Sequence, residues 1–440
     1  MKKIWRKIIA TAISASFLLA GAFGCNSGDS SGDETKDGTM NDLVKNFWQN
    51  DTMYDETVIL TAKTDENGEI VSLPQGDLLF APTEIISVKQ YFHADNSGIV
   101  EFEKDKDYTV SGKTITVKGE ITEDAEGKKT SVDTKMPYIT DRQMEGKDIF
   151  PGLGSLNTGI PSKDGGYLPF SESYYIVQTQ ISVTYKHNGE WNGAVPSYLG
   201  EKFTTAMNKL KNKETVELLV FGESTSTGSN SSSVLKITPY LDSWPVFVQK
   251  NLSSYFGAQV NLTNKAVGGW TTVNGVSETE NTGWVGGKQI SQKGLPAVMR
   301  EELKDYVPDI FILGFGLNDA SLEVNKNTYA ENMKKMINVV LERNPDCAVL
   351  VLGTMLANPK ALNQSKGEKD YSALNERIVS SFYGDKQVAT VDIGAMHQSL
   401  LDSGKKYIDI TGNNVNHPND FLARVYAMNV LSAFIETENA

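Results

Sequence analysis

Residues 216–224 read Val-Glu-Leu-Leu-Val-Phe-Gly-Glu-Ser. The first six are almost continuously apolar, as expected of a strand that is buried on both faces of a parallel sheet. Three later runs have the same form, the last more weakly: Asp309–Gly314, Ala348–Gly353 and Gln387–Asp392. Two helical patterns alternate with them, at Ala330–Glu342 and Ser372–Phe382. Strands that alternate with helices predict an open parallel sheet with helices on both faces, here in a domain at residues 201–440.

The preceding part of the chain has a different pattern, with short β-branched runs separated by turn residues. Six strands are predicted, at Thr57–Leu60, Ile85–Val88, Tyr108–Val110, Thr114–Val117, Tyr174–Val177 and Gln180–Tyr185. No long helical period interrupts them. Short strands at regular spacing predict a small sandwich-like β domain at residues 41–200.

The first residues have the form of an export signal. A positively charged start is followed by an apolar stretch at Ile8–Ala22, which is too short for a comfortable transmembrane span. The segment ending at Cys25 resembles a bacterial lipoprotein signal, which implies a signal peptide at 1–24 and a lipidated Cys25. Residues 25–40 are rich in Gly, Ser and acids, as in a flexible linker. The alternative is an ordinary secretory peptide with a chance cysteine. We expect an extracytoplasmic protein that is lipid-anchored to the cell membrane, on the bacterial surface or the periplasmic face.

Composition narrows the possible partners. The 440 residues are 39% hydrophobic and 22% charged, with a formal net charge of −13, which argues against a nucleic-acid partner. The chain has two cysteines, Cys25 and Cys347, so a lipidated Cys25 leaves Cys347 without a disulfide partner. We interpret Cys347 as a buried strand residue. No Cys/His or paired-carboxylate spacing indicates a metal site.

Reactive residue types follow the predicted strands. Ser224 comes directly after the first buried strand, where a tight turn can expose its hydroxyl. The amides of a helix N-terminus there also favour developing negative charge. The alternative is that Ser224 only caps the helix. The pair Gly268–Gly269 lets backbone N–H groups approach a ligand, or forms a plain turn. Asn318 follows another strand, in a sequence that also suits a turn. His417 precedes Pro418, and a lone histidine is more often structural than catalytic.

Together these loops resemble the four sequence blocks of the SGNH (also called GDSL) hydrolase family, in the family's order. The matching positions are Gly222-Glu223-Ser224, Gly269, Gly316-x-Asn318-Asp319 and His417, with Glu223 where the family has Asp. The likeness covers about residues 215–436. It implies a flavodoxin-like three-layer α/β/α domain that follows the β-rich one.

The resemblance also implies a role for each residue. Ser224 attacks an ester carbonyl, and His417 takes its proton and returns it to the leaving alcohol. The oxyanion is held by the backbone N–H groups of Ser224 and Gly269 and by the side chain of Asn318. This agrees with the general need of a serine nucleophile for an adjacent base. The mechanism requires no cofactor.

One position departs from the family pattern. The family usually has Asp three residues before the histidine, and this chain has Asn414. The oxygen of an amide can accept a hydrogen bond from the Nδ1–H of the histidine, but it cannot stabilise the imidazolium by charge. The corresponding Asp→Asn change in a serine protease lowers kcat about 10⁴-fold. We expect Asn414 or a backbone carbonyl to suffice, giving a Ser–His dyad similar to that of some carbohydrate esterases of this superfamily. The alternatives are that Asp409 or Asp420 acts instead, or that the enzyme is impaired.

The other polar groups are expected to be structural. His397 follows a predicted strand, and its alternative role is to approach the site from the sheet's C-terminal edge, whereas His93 and His187 are expected on loops or edges of the β-rich part. The run Ser229–Ser233 reads as a solvated loop, or as part of the entrance.

The expected activity is that of a carbohydrate esterase that removes acetyl groups from a polysaccharide. Export, a preceding β-rich domain and tryptophans near the site motivate this hypothesis: Trp270 follows the oxyanion glycine, and Trp244 and Trp284 are expected on flanking loops. Core packing explains Trp244 equally well. One alternative is a lipid esterase or thioesterase. Another, of a different class, is a glycan-binding surface lipoprotein with a vestigial hydrolase fold.

Overall fold

The first part of the chain consists of short strands in the computed structural model, which describes residues 40–94, 98–384 and 386–436. The predicted signal peptide, the lipidation of Cys25 and nearly all of the linker lie outside these residues. The strands of this part are β1 (Thr52–Ile59), β2 (Thr61–Ala62), β3 (Gln75–Asp77), β4 (Pro82–Gln90), β5 (Val100–Glu101), β6 (Tyr108–Ser111), β7 (Thr114–Val117), β8 (Glu120–Glu123), β9 (Lys129–Asp133), β10 (Ile139–Thr140), β11 (Ile160–Pro161), β12 (Tyr167–Leu168) and β13 (Gln180–His187). Helical turns are α1 (Asp141–Met144) and 3₁₀ turns at Asp42–Val44, Leu156–Thr158 and Val177–Thr179.

These strands form a mostly antiparallel β-rich region. One sheet has the order β1-β13-β4-β5 and a second has the order β10-β2-β3-β7-β6, with separate hairpins β8–β9 and β11–β12. The strand predicted at Tyr174–Val177 is wrong, because this segment is a turn in which the Gln178 N–H donates to the Tyr174 carbonyl. Its aromatic side chains instead pack together and against Phe92. Tertiary packing has overridden a local strand propensity.

The second part alternates helices and strands. Its elements in chain order are α2 (Thr204–Lys211), β14 (Val216–Gly222), α3 (Ser224–Thr227), α4 (Ser232–Leu235), α5 (Trp244–Phe256), β15 (Val260–Asn264), α6 (Thr272–Gly275), β16 (Asn281–Val285), β17 (Lys288–Gln292), α7 (Leu295–Glu301), β18 (Ile310–Gly314), α8 (Leu317–Ser321), α9 (Lys326–Arg343), β19 (Ala348–Gly353), α10 (Glu368–Val379), β20 (Val388–Asp392), α11 (Ile393–Asp402), a 3₁₀ turn at Tyr407–Asp409 and α12 (Asp420–Phe434).

The predicted three-layer α/β/α arrangement is confirmed. Five parallel strands lie in the order β15-β14-β18-β19-β20. Alternate residues of β14 face opposite sides: Leu218 packs in the core that contains α5 and α12, and Leu219 packs in the core that contains α9. Sequence analysis missed β15, an edge strand whose polar, partly exposed residues lack the apolar run of a central strand.

The β-rich region packs directly on the helical layer that carries α12, with which it shares one hydrophobic core. Buried polar contacts join the two parts as well. The Lys405 ammonium lies 2.7 Å from the Glu56 carboxylate, which also accepts a hydrogen bond from the Tyr185 hydroxyl. Arg424 donates to the backbone carbonyls of Tyr54 and Asp55. Residues 40–436 therefore belong to one compact unit, and the predicted boundary near residue 200 stays a prediction.

Within the part of the chain that the structure describes, no helix combines the length and apolar character needed to cross a membrane.

Candidate active site

Ser224 and His417 meet at the carboxyl edge of the parallel sheet. Ser224 is the first residue of α3, immediately after the turn that follows β14. Gly222 makes this turn possible, since a Cβ there would lie 2.3 Å from the Gly314 carbonyl oxygen. The Ser224 Oγ lies 2.9 Å from the His417 Nε2, so the hydroxyl is within direct proton-transfer distance of a base. Both residues are largely buried.

Asn413 holds the backbone that carries His417. Its side-chain oxygen accepts hydrogen bonds from the N–H groups of Val415, Asn416 and His417, each at 3.0 Å. The His417 carbonyl also accepts a bond from the Gly412 N–H. The loop before α12 is therefore fixed by its own side chain, so that the imidazole reaches Ser224 in one orientation.

The partners of the other imidazole nitrogen come from outside this loop. The His417 Nδ1 lies 2.9 Å from the Glu172 Oε2 and 2.7 Å from the Asn230 Oδ1. Glu172 belongs to the segment between β12 and β13, 245 residues away from His417 along the chain. Two acceptors at Nδ1 fix the proton there, which leaves the Nε2 lone pair for the Ser224 hydroxyl.

The expected dyad, oriented by Asn414 or a backbone carbonyl, is wrong. Asn414 instead donates to the Pro169 carbonyl at 3.0 Å. The two alternative acids also bind elsewhere: Asp409 accepts from the Ile59 N–H, and Asp420 accepts from the Ser232 N–H. These candidates all lie close to His417 in sequence, whereas the carboxylate that contacts its Nδ1 comes from the β-rich region.

Glu172 is placed as an ionised partner. Its side chain is 25% exposed. Burial opposes ionisation, but the charge and hydrogen bond of His417 and the amide of Asn413 outweigh it, and the pKa of Glu172 is held below its usual value. A carboxylate at this position can stabilise an imidazolium by charge, which an amide cannot.

The three groups that the family resemblance assigns to the oxyanion lie at neighbouring strand ends. Gly268 lies beside Ser224, since a Cβ on Gly268 would approach the Ser224 Cβ to 3.5 Å. Gly269 has a φ of +83° that favours glycine, and a Cβ there would meet open space. The Asn318 side-chain amide donates to the Trp270 carbonyl at 2.9 Å, which uses one of its two N–H donors. The second donor of Asn318 and the N–H groups of Ser224 and Gly269 stay the predicted oxyanion donors.

Glu223, the residue that replaces the family's Asp, supports Asn318. It is fully buried, and its carboxyl group accepts hydrogen bonds from the backbone N–H groups of Leu317 and Asn318 at 3.1 and 3.0 Å. Burial raises the pKa of Glu223 to about 8, against the opposing effect of these two donors. The side chain therefore ties the turn at Ser224 to the first turn of α8.

Asp319 connects α8 to the oxyanion loop. Its carboxylate accepts from the backbone N–H of Thr272 at 3.0 Å and from its hydroxyl at 2.6 Å. Burial raises the pKa of Asp319 to about 6. Together with Glu223, this residue fixes the relative position of the loops that carry Ser224, Gly269 and Asn318.

Several expectations about other residues need correction. The Ser229–Ser233 segment is not a solvated loop: Asn230, Ser231 and Ser232 are buried, and their hydrogen bonds explain how a polar run enters the core. Trp244 and Trp270 are also buried, with their N–H groups bonded to backbone carbonyls, so neither is available to a sugar.

Two of the other histidines, His397 and His187, are buried in contact with other residues. His397 is fully buried and accepts from the Leu356 N–H, and burial lowers its pKa to about 3, so it remains neutral. His187 is buried at the end of β13 and stacks on Phe80 rather than lying on an open edge. Cys347 is buried next to β19. Among the described residues, no cluster of His, Cys, Asp or Glu has an arrangement that could hold a metal ion.

Glu172 and Asn230 are not among the site residues predicted from the sequence. The segment around Glu172 reads Leu-Pro-Phe-Ser-Glu-Ser, which carries no periodicity or motif. The available signal was indirect. Because Asn stands where the family has its acid, the histidine needs another carboxylate, which can come from any distance along the chain. Asn230 lies in a serine-rich run, and such a composition is typical of a solvent-exposed loop and not of an active site.

Residues 220–424 match the model of the GDSL-like Lipase/Acylhydrolase family. No curated protein sequence matches the chain.

Solved structures with a similar fold include a two-domain esterase active on acetylated mannans, with 20% identity, coverage of 55% of this chain and 55% of that chain, and a TM-score of 0.39. This chain thus spans about half the length of that esterase. A carbohydrate esterase family 3 structure from Talaromyces cellulolyticus matches with 13% identity, 49% and 94% coverage and a TM-score of 0.34. A carbohydrate acetylesterase family member from Sinorhizobium meliloti matches with 14% identity, 49% and 95% coverage and a TM-score of 0.35. Residues 220–424 of this chain form a domain of the GDSL-like lipase/acylhydrolase family, the SGNH hydrolases.

Proposed function

We propose that the protein is a serine esterase in which Ser224 is the nucleophile and His417 the general base. The observation that carries the proposal is the 2.9 Å separation of the Ser224 Oγ and the His417 Nε2. Family membership supports it, and so does the position of both residues at the carboxyl edge of the parallel sheet, where open α/β folds place their reactive groups.

The reaction follows from these positions. The Ser224 oxygen attacks the ester carbonyl carbon while its proton moves to the His417 Nε2. The tetrahedral oxyanion accepts hydrogen bonds from the N–H groups of Ser224 and Gly269 and from the Asn318 amide. Collapse of the intermediate breaks the bond to the alcohol oxygen, which takes the proton from His417. Water then attacks the acyl-serine by the same proton path and releases the acid.

The substrate that we propose is an acetylated carbohydrate. The support within this chain is Trp284, a partly exposed residue of the β16–β17 hairpin. Its backbone exchanges two hydrogen bonds with Gly268, at 2.8 and 3.1 Å. A Cβ on Gly268 would lie 3.4 Å from the Trp284 Cβ and 3.5 Å from the Ser224 Cβ, so both residues begin next to Gly268. An aromatic residue of the hairpin that contacts this loop suits a substrate that contains a sugar ring.

Acetate release from acetylated polysaccharides tests the activity. The parent protein is expected to release acetate, and Ser224→Ala is expected to lose on the order of 10⁴–10⁶ in kcat. Ser229→Ala is a matched control, because the Ser229 hydroxyl bonds to the nearby Thr227 and not to His417. If the parent releases no acid from polysaccharides or from small activated esters, the esterase proposal fails. Preference for long acyl chains over acetate would identify a lipid esterase instead.

We also propose that the enzyme is exported and held at the membrane by lipid on Cys25. The basis is the N-terminal sequence alone. Metabolic labelling with a radioactive fatty acid tests this, with Cys25→Ser as the control. The expected result is label and membrane fractionation in the parent and neither in the variant. Equal labelling of both proteins would contradict lipidation at Cys25.

A further inference from the structure

We propose that Glu172 and Asn414 have exchanged roles relative to the usual family arrangement: Glu172, from the β-rich region, is the acid that orients His417, and Asn414 anchors the Glu172 segment. The inference rests on the proposed serine esterase function and identifies the residue that positions its base. It also makes the β-rich region a part of the active site.

Three side-chain hydrogen bonds connect the Glu172 segment to the His417 loop. The Asn414 amide donates to the Pro169 carbonyl at 3.0 Å. The Asn413 amide donates to the Glu172 Oε1 at 3.1 Å. The His417 Nδ1 contacts the Glu172 Oε2 at 2.9 Å. Both carboxylate oxygens are therefore engaged, and the backbone just before Glu172 is held as well, so this carboxylate is fixed at the imidazole.

The chemical environment of Glu172 suits the orienting role. No basic side chain competes for it among its hydrogen-bond partners in the described residues, which are the Asn413 amide and the His417 ring. When His417 takes the proton of Ser224, the resulting imidazolium faces a carboxylate at hydrogen-bond distance. Asn230 shares the Nδ1 proton through its side-chain oxygen at 2.7 Å. The amide contributes orientation, and the carboxylate contributes orientation and charge.

Asn414 cannot be an Asp in this arrangement. It is almost fully buried, and its backbone φ of +62° is one that Asn tolerates. Its amide nitrogen is the donor to the Pro169 carbonyl, and its oxygen faces the Asn358 amide. A carboxylate would place negative charge against the Pro169 carbonyl and remove the donor. The usual family acid would therefore release the segment that carries Glu172.

Kinetics of Glu172→Gln on 4-nitrophenyl acetate test the first half of the inference. We expect kcat to fall about 10²–10³-fold with little change in KM, less than the loss of about 10⁴ for a protease acid because Asn230 still orients the ring. The Nδ1–H proton resonance of His417 is expected to move upfield, since the ring loses its carboxylate acceptor. A purely structural role would not move this resonance. Asp164→Asn is the matched control, because it removes an exposed carboxylate from the β11–β12 turn.

Asn414→Asp tests the second half. Although it restores the usual family residue, we expect it to lower kcat at least tenfold and to lower the melting temperature. Glu172→Asp, which keeps the charge but shortens the side chain, should retain more activity than Glu172→Gln.

The outcomes are distinct. Unchanged kcat and an unchanged Nδ1–H resonance in Glu172→Gln, with an active parent, would overturn the role of Glu172. Parental or higher activity in Asn414→Asp would overturn the exchange. An inactive parent that a fluorophosphonate also fails to label at Ser224 would instead refute the underlying esterase function. Melting curves of every variant separate loss of folding from loss of catalysis.

Discussion

Two regions of the molecule meet at His417, and they are built in different ways. The carboxyl edge of the parallel sheet supplies Ser224, Gly269 and Asn318 from loops that directly follow strands. The segment between β12 and β13 supplies Glu172 from a region without long strands or helices. The first region is held by backbone hydrogen bonds and by buried carboxyl groups. The second is held by side-chain contacts to the His417 loop.

This difference has a functional meaning. The sheet edge presents the nucleophile and the oxyanion donors on backbone that the fold fixes by itself. The orientation of the base depends on the docking of the β-rich region, because Glu172 reaches His417 only when that region is packed in place. Substitution of the nucleophile or of an oxyanion donor should therefore affect chemistry alone, whereas changes at the contact between the two parts should affect stability and chemistry together.

Lys405→Met should give the largest stability effect. The variant leaves the Glu56 carboxylate buried without its cation, which typically costs about 3–5 kcal/mol of unfolding free energy. Denaturant unfolding measures the change. The exposed pair of Lys326 and Asp370 provides a control, and Lys326→Met should change stability by less than about 1 kcal/mol. Equal effects of the two variants would mean that the buried pair does not secure the β-rich region.

Asn318→Asp tests the sheet edge. It keeps the side-chain shape but replaces the amide donors with oxygens, so kcat should fall about 10²–10³-fold, equivalent to about 2.7–4 kcal/mol in the barrier. Steady-state kinetics with 4-nitrophenyl acetate provide the measurement, and the exposed Asn327→Asp is the control. A rise in KM with unchanged kcat in Asn318→Asp would argue against a role of Asn318 in stabilising the transition state.

Glu223→Gln should change how stability depends on pH. In the folded protein the pKa of Glu223 is about 8, compared with its ordinary value of 4.5, so folding takes up a proton and stability falls as pH rises between these values. Asp319 and Asp420, whose pKa values are raised to about 6, contribute the same trend at lower pH. From about pH 7 to 8.5 the parent should therefore lose about 1–2 kcal/mol relative to the variant. Parallel stability curves over that range would contradict the buried, protonated state of Glu223.

Trp284→Ala should have the smallest effect, and only on the sugar substrate. Loss of an aromatic contact worth about 0.5–1.5 kcal/mol should raise KM for an acetylated oligosaccharide about 2- to 10-fold. The kinetics with 4-nitrophenyl acetate should change little, and Trp284→Phe should keep most of the affinity. An equal loss on both substrates would indicate that Trp284 supports the oxyanion loop rather than the sugar.

The sequence predicted those parts of the site that depend on local pattern. The central strands are apolar because both faces are buried, and Ser224 and Asn318 could be placed at their ends. Edge strand β15 was missed because one side of it lacks neighbours and it keeps polar residues. Glu172 could not be placed, since its role arises from a contact 245 residues away that no local period records. Asn230 was misjudged for a related reason: serine and asparagine enter a core when hydrogen bonds satisfy them.

By the arrangement that we propose, a carboxylate from the β-rich region, Glu172, holds the Nδ1 proton of His417. Proton NMR of the imidazole N–H region tests it most directly. The account predicts a strongly downfield Nδ1–H resonance in the parent that persists in Ser224→Ala, disappears in His417→Ala and moves upfield in Glu172→Gln. A resonance with the same shift in the parent and in Glu172→Gln would show that Glu172 is not the partner of His417.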